Sequence, residues 1–246
     1  MRDYTREYNL FKLKHPFIKF FSIQDRPDTI DWFDQDTKER AKKNYTPEWK
    51  YATKRIEYHV NSDGYRTKEW TDIHWKNSIV LLGCSYVYGV GVAEDETISY
   101  QLEDMIGHPV INMGVPGSSP TFTIHNLSCL LAQYKPKGVV IGWSGSGRAP
   151  YYSDEVTHCG NWLEDDAGMG LAWRYNKSHG EITSHLCRQI AQQLCHDTPY
   201  ADFTLFRDNQ IGAEYIPQVD YGRDMAHAGC ETYNNVAEYV AGQLVL

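Results

Sequence analysis

The chain has 246 residues, of which 41% are hydrophobic and 23% charged, and 24 basic against 32 acidic residues give a formal net charge of −8. This composition is typical of a globular protein and excludes a disordered chain. The acidic balance, with no basic run, argues against nucleic acids and anionic membranes as partners. No apolar run approaches the roughly 20 residues of a membrane span.

Residues 1–77 differ from the rest, because they are charged, rich in Trp and Tyr, and only weakly periodic. The stretch RIEYHVNSDGYRTKEW at 55–70 predicts a short hairpin with its turn at 61–64. We expect 1–77 to be an N-terminal extension packed on a domain that spans 78–246. The first residues lack the pattern of a signal peptide, which favours a cytoplasmic protein; a virion component released by lysis would look the same.

From residue 78 the pattern alternates between apolar runs and helical periodicities. Between the runs, one helix follows Asp95 and stops at Gly107, a second starts at Ser119–Pro120, and two more carry apolar residues over 182–194 and 233–244. Residues 144–180 show no period and are expected to be a long loop. The alternation predicts an α/β protein with a parallel sheet covered by helices on both faces. The predicted strands are SIVLLG (78–83), PVINMG (109–114), GVVIGW (138–143), ADFTLF (201–206) and EYIPQV (214–219).

Four segments meet at the carboxyl edge of such a sheet, where ligands bind in this class of protein. They are 83–89, 112–119, 144–148 and 220–229. A serine hydroxyl becomes a nucleophile when a base takes its proton, and the base needs a partner that fixes its tautomer. Ser85, His227 and Asp224 fit these three roles, with Asp220 as an alternative partner of the histidine.

These segments resemble the SGNH (GDSL-type) hydrolase family of serine esterases over residues 78–246. Gly83-Cys84-Ser85 stands where the family has Gly-Asp-Ser, Asn112 and Gly117 match its second block, and Asp224-Met225-Ala226-His227 matches its Asp-x-x-His. The segment NSDGYR at 61–66 resembles one that precedes the nucleophile in many bacterial and phage members. The resemblance implies a three-layer, flavodoxin-like fold with a mostly parallel five-stranded sheet.

One block departs from the family pattern, because the strand at 138–143 runs into WSGSGR without the Asn that completes the family's oxyanion hole. Aligning the strand ends places Ser146 at the Asn position, where a hydroxyl donates one hydrogen bond. The implied oxyanion hole is therefore the amides of Ser85 and Gly117 with Ser146, and Arg148 is an alternative source of positive charge. Arg148, Tyr151 and Trp143 are the expected substrate-binding residues.

The resemblance implies a serine esterase that acts on a small acyl ester, with an O-acetylated carbohydrate as the best candidate and with no cofactor. The six cysteines lack the spacing of structural zinc sites, so we expect free thiols and no metal. Two alternatives stay open. One is an acyltransferase with the same triad, and the other is a non-catalytic structural or carbohydrate-binding protein of a phage particle, which the missing Asn favours.

Overall fold

The computed structural model describes residues 29–152, 156–160, 177–207 and 211–246. Its strands are β1 (Thr29–Ile30), β2 (Tyr58–His59), β3 (Ile79–Gly83), β4 (Val110–Gly114), β5 (Gly138–Trp143), β6 (Ala149–Tyr152), β7 (Val156–Cys159), β8 (Tyr200–Thr204) and β9 (Glu214–Tyr215). Its α-helices are α1 (Lys38–Lys43), α2 (Ser85–Tyr88), α3 (Ile98–Ile106), α4 (Pro120–Gln133), α5 (Lys177–Leu194) and α6 (Cys230–Gln243). Single 3-10 turns lie at Lys50–Ala52, Trp70–Asp72, Trp75–Asn77 and Glu94–Glu96.

The central sheet has the strand order β4-β3-β5-β8-β9, and every neighbouring pair is parallel. Numbered along the chain, this is the 2-1-3-4-5 order of flavodoxin-like sheets, in which ligands bind where the order reverses. The predicted α/β class and the five parallel strands are confirmed. The point of reversal lies between β3 and its two neighbours, where the predicted nucleophile follows β3.

Helices cover both faces of this sheet, and the side chains of β3 show how they divide. Ile79 and Leu81 belong to a core with α3 and α6, whereas Val80 and Leu82 belong to a core with α4 and α5. Successive side chains of a strand point to opposite faces, so an unbroken apolar run is what a doubly covered strand requires. The three layers follow from that alternation.

Most helix boundaries agree with the sequence signals. The Ser119 side chain accepts a hydrogen bond from the Phe122 amide at the start of α4, and Gly107 ends α3 in the left-handed region, as predicted. However, α3 is capped by Thr97 rather than Asp95, which lies in a 3-10 turn before it. The segment predicted to be a long loop contains the antiparallel hairpin β6–β7.

The orientation of α5 differs from what its apolar pattern suggests. Ile182, Leu186 and Ile190 are 62%, 50% and 46% exposed, whereas the smaller Cys187 and Ala191 face the core. Close packing explains this choice, because the carbonyl oxygen of Ser146 would lie 2.3 Å from a Cβ at Gly180 on the inner face. The small-residue face of α5 therefore approaches the sheet.

The N-terminal segment from residue 29 onwards packs on both layers. Phe33, Ile56 and Tyr58 join the core of α3 and α6, and Tyr65 and Trp70 join the other core. The predicted turn at 61–64 is present, since the Asn61 amide donates to the Tyr65 carbonyl and Gly64 has a φ of 85°. The predicted hairpin does not form, because β2 pairs antiparallel with β1 rather than across this turn. The division at residue 77 stays a prediction.

Three glycines lie side by side where β3, β4 and β5 end. Gly83 is in register with Gly114 on one side and Gly142 on the other. A Cβ at Gly114 would lie 2.3 Å from the Tyr88 amide nitrogen, and Cβ atoms at the other two would lie within 2.7 Å of the Val87 side chain. The short helix α2 therefore rests directly on the ends of three strands.

No helix of the described residues is long and apolar enough to cross a membrane.

We expect Gly114→Ala to lower the free energy of unfolding by about 1–3 kcal/mol, because the new methyl group meets rigid backbone of α2. Urea unfolding measures the change. The control is Gly242→Ala in α6, where an added Cβ has nothing within 4 Å and Ala is favoured in a helix. Equal stability of the two variants would contradict the close approach.

Candidate active site

Ser85 begins helix α2, which starts immediately after β3. Cys84 is the N-cap and Gly89 ends the helix in the left-handed region at a φ of 82°. The Ser85 side chain is only 3% exposed. On the other side, the Asn112 amide group donates to the Val87 carbonyl at 2.8 Å. The short helix is thus fixed at both ends before any substrate arrives.

A buried arginine fixes the chain that leaves α2. Arg66, from the NSDGYR segment, is 1% exposed and donates to the carbonyl oxygens of Gly89 at 2.7 Å and Val92 at 3.2 Å. Its Nε donates to Glu94 at 2.8 Å, so the buried charge has an anionic partner. This placement gives the segment a structural role that the sequence signal did not specify.

The three predicted triad residues lie together at the carboxyl edge of the sheet. Ser85 Oγ and His227 Nε2 are 2.8 Å apart, and His227 Nδ1 and Asp224 Oδ2 are 2.5 Å apart. An ionised carboxylate only accepts hydrogen bonds, so Nδ1 carries the proton and Nε2 is free to accept one from Ser85. The chain of bonds is the arrangement that activates a serine.

The backbone around Asp224 holds its carboxylate in this position. Asp224 Oδ1 accepts hydrogen bonds from the amides of Ala226 at 3.1 Å and His227 at 3.0 Å, which requires a tight turn with Met225 at a φ of 54°. Burial by itself would raise the pKa of Asp224, but the hydrogen bonds and charge of His227 outweigh burial and lower it below its ordinary value. Asp224 is therefore ionised at neutral pH.

Asp220, the alternative partner of His227, has a different position. Its carboxylate accepts hydrogen bonds from the amides of Glu231 at 3.0 Å and Thr232 at 2.9 Å, at the start of α6. A Cβ at Gly229 would lie 2.3 Å from Asp220 Oδ2, so this approach needs a glycine. The geometry assigns Asp220 to the helix N-terminus, where a negative charge is favoured.

The turn that contains Gly117 lies beside the nucleophile. The Ser118 hydroxyl donates to the Gly83 carbonyl at 3.0 Å, and the Val115 amide donates to the same oxygen at 2.9 Å. Gly117 has a φ of 76°. The turn thus packs against the end of β3 through Val115 and Ser118, and the oxyanion role of the Gly117 amide stays a prediction.

The remaining predicted residues are more scattered. Ser146 is 5% exposed and lies where its carbonyl packs against Gly180 of α5. Trp143 is 1% exposed, and its indole N–H donates to Asp202 at 3.0 Å, so this side chain belongs to the core rather than to an open binding surface. The side chain of Tyr151 lies outside the described residues.

Sequence reasoning missed two aromatic residues beside the triad. The Tyr86 ring centroid is 5.0 Å from the His227 ring, and Tyr86 makes an edge contact with Phe206 at 5.3 Å. Burial raises the pKa of Tyr86 to about 12, so it stays a neutral phenol. The only sequence signal for Tyr86 is its position directly after Ser85, and Phe206 has none, because it arrives from the end of β8.

Arg148, predicted to bind substrate, reaches the same area, and its role stays a prediction. Its guanidinium lies 5.0 Å from the Phe206 ring centroid and its Nη1 is 3.5 Å from the Ser118 carbonyl. Burial and then the charge of Arg148 lower the pKa of the nearby His158 to about 4, which keeps that imidazole neutral. Arg148 therefore places a positive charge near the Gly117 turn.

A second buried arginine links the triad loop to the N-terminal segment. Arg223 is 6% exposed and binds both carboxylate oxygens of Asp36, at 2.8 and 2.6 Å. Asp36 also accepts from the Tyr58 hydroxyl at 2.5 Å, and the Gly91 amide donates to that hydroxyl at 2.9 Å. The amide of Arg223 donates to the Gly91 carbonyl at 2.6 Å. The residue preceding Asp224 is thus tied to a part of the chain about 190 positions earlier.

Among the described residues, no group of three or more His, Cys, Asp or Glu side chains is placed to hold a metal ion. The described cysteines at positions 84, 129, 187, 195 and 230 are free thiols. The groups at the site are therefore a hydroxyl, an imidazole, a carboxylate and backbone amides, which suit acyl transfer.

No known family model matches the sequence, and no curated protein matches it. Solved structures similar to the chain include TesA, with a TM-score of 0.46 and 14% identity over 68% of this chain and 98% of that one. A carbohydrate esterase family 2 enzyme with a carbohydrate binding domain, from Corynascus thermopiles (Myceliophthora fergusii), has a TM-score of 0.45 and 12% identity over 68% of this chain and 65% of its own.

A third similar structure is AlinE4, an SGNH-hydrolase family esterase, with a TM-score of 0.34 and 12% identity over 70% of this chain and 74% of its own. At identities this low, the function of the present chain has to be argued from its own residues.

The lowered pKa of Asp224 predicts a pH-dependent contribution to stability. A carboxyl whose pKa falls on folding stabilises the native state above its unfolded pKa of about 3.9, and this contribution is lost as the pH falls. We expect the stability advantage of the wild type over Asp224→Asn to shrink between about pH 5 and pH 3 in urea unfolding. Asp104→Asn, exposed on α3, controls for the change in net charge. An advantage that stays constant down to pH 3 would contradict the assignment.

Proposed function

We propose that the protein is a serine hydrolase that cleaves a small acyl ester through an acyl-enzyme on Ser85. The observation that carries the proposal is the pair of short contacts from His227, at 2.8 Å to Ser85 Oγ and 2.5 Å to Asp224. A serine is activated for nucleophilic attack when its hydroxyl lies within hydrogen-bond reach of a base that a third group orients. The likeness to SGNH-type esterases in 83–89, 112–119 and 224–227 supports the same reading.

In the first half of the reaction, Ser85 Oγ attacks the ester carbonyl and its proton passes to His227 Nε2. Asp224 holds the imidazole in the required tautomer and stabilises the imidazolium that forms. The amides of Ser85 and Gly117 donate to the oxygen that becomes negative, with the Ser146 hydroxyl as the proposed third donor. His227 then gives its proton to the leaving alcohol, and the acyl group stays on Ser85.

In the second half, water attacks the acyl-enzyme while His227 takes a proton from it, and the carboxylic acid leaves as Ser85 recovers its proton. The 3% exposure of Ser85 favours a short acyl group over a long chain. The rings of Tyr86 and Phe206 and the charge of Arg148 suit a polar alcohol component. We therefore propose an O-acetylated carbohydrate as the substrate class.

A fluorophosphonate probe should label Ser85, because the reagent reacts with a serine whose hydroxyl is activated by a neighbouring base. We expect the probe to label the wild type and not Ser85→Ala. The Ser85→Ala variant should also lose the hydrolysis of p-nitrophenyl acetate. Mass spectrometry of the labelled peptide identifies the site. Ser78→Ala is the matched control, since Ser78 is also buried but lies at the opposite end of β3. A folded wild type that resists labelling would favour a non-catalytic protein.

The two aspartates of the 220–229 loop separate catalysis from helix capping. We expect Asp224→Asn to lower kcat by about 10⁴-fold, because His227 loses the partner that sets its tautomer. Asp220→Asn should lower the free energy of unfolding by about 1 kcal/mol with kcat nearly unchanged, because it removes a negative charge and one acceptor oxygen beside the helix N-terminus. Steady-state kinetics measures kcat and urea unfolding measures the free energy of unfolding, each for both variants. The reverse pattern would make Asp220 the partner of His227.

A further inference from the structure

A cavity of about 490 Å³ lies in the N-terminal segment beside Arg223. This volume is in the range of small-ligand sites, about 300–1,000 Å³. Its wall combines aromatic rings with basic side chains, and none of the described residues that line it is acidic. The chain as a whole has a net charge of −8, so this basic wall is opposite in sign to the protein overall. The wall includes the aromatic residues Trp32, Tyr45 and Trp49 and the basic residues Lys38 and Lys42.

Two lysines supply positive charge that this part of the chain does not neutralise. The other basic residues of the wall are paired; Lys54, for example, lies 2.9 Å from Glu96. Lys38 and Lys42 are exposed and have no ion pair with any described residue. They lie one turn apart on α1, where like charges repel, and Lys38 is at the N-terminal end, where the helix dipole disfavours a cation. The helix dipole favours a cation at Lys42, in the last turn of α1, so helix stability leaves only Lys38 without an account.

The aromatic part of the wall is also partly open to solvent. Trp32 is 36% and Tyr45 is 55% exposed, and Trp49 stands edge-on to Tyr51 with ring centroids 5.6 Å apart. Exposed flat rings beside cations present an apolar face and a charge at once. A ligand that matches this wall has a flat apolar face and an anionic group on its edge.

We infer that this cavity binds an acidic sugar unit, a pyranose ring that carries a carboxylate. The C–H face of the ring packs on Trp32 or Tyr45, and the carboxylate pairs with Lys38 and Lys42. The cavity adjoins the triad loop, because the Arg223 guanidinium lies 3.9 Å over the Trp32 ring and Asp224 follows Arg223 directly. As an extension of the proposed function, on which this step rests, the substrate is an acylated acidic polysaccharide held here by one unit.

Binding is tested on Ser85→Ala, so that turnover plays no part in the measurement. Isothermal titration compares a four-unit galacturonic acid oligosaccharide, the neutral galactose oligosaccharide of equal length, and inorganic phosphate. We expect only the acidic oligosaccharide to bind, and about 0.5 M salt to weaken it by screening. Lys38→Gln with Lys42→Gln should raise its Kd about tenfold or more, and Trp32→Ala should raise it as well.

The matched control is Lys76→Gln with Lys135→Gln, two exposed lysines outside the cavity wall that change the net charge equally; this pair should leave the Kd unchanged. Thermal unfolding of each variant verifies that it is folded. Equal binding of the neutral oligosaccharide or of phosphate, no binding of the acidic one, or the same loss in both double variants overturns the inference. Failure of the fluorophosphonate labelling with intact acidic-sugar binding would instead remove the proposed hydrolase and keep the binding site.

Discussion

The candidate site depends on one contact: helix α2 packs directly on the ends of three strands, where each strand has a glycine and therefore no side chain. Gly83, Gly114 and Gly142 are in register, and a Cβ at any of them would collide with Val87 or Tyr88. A parallel sheet normally presents side chains at this level, which would lift the helix away. Because the helix lies so close, Ser85 emerges at the point where the strand order reverses, next to the loop that carries His227.

Two buried arginines complete this arrangement from outside the sheet. Arg66 binds the carbonyls that follow α2, and Arg223 joins the triad loop to Asp36. Arg223 and Asp36 are both buried, so removing either one would leave an uncompensated buried charge, whereas the side chain of Glu94, the partner of Arg66, is 48% exposed. The N-terminal segment is therefore part of the support of the site, because it supplies Arg66, Asp36 and Tyr58.

The same segment changes the electrostatic character of its surroundings. The chain is acidic overall, yet the wall formed by residues 32–55 collects basic and aromatic side chains close to the triad loop. Charge that is distributed in this way attracts anions locally without altering the net charge. A hydrolase with a wall of this kind would select among esters by the charge of the alcohol component, whereas the chemistry at Ser85 is indifferent to it.

The sequence by itself determined the parallel sheet and the positions of most helices, and it predicted Ser85, Asp224 and His227 as a candidate triad, because these rest on local signals: apolar runs, caps, and residue spacing within a loop. For the partner of His227, the sequence left two alternatives open, Asp224 and Asp220. Tertiary structure decided between them by placing Asp220 at the start of α6. It also decided that Trp143 is a core residue, that β2 pairs with β1, and that α5 turns its smaller side chains inward. Tyr86, Phe206, Arg66 and Arg223 acquire their positions through contacts between distant parts of the chain, which periodicity and spacing do not encode.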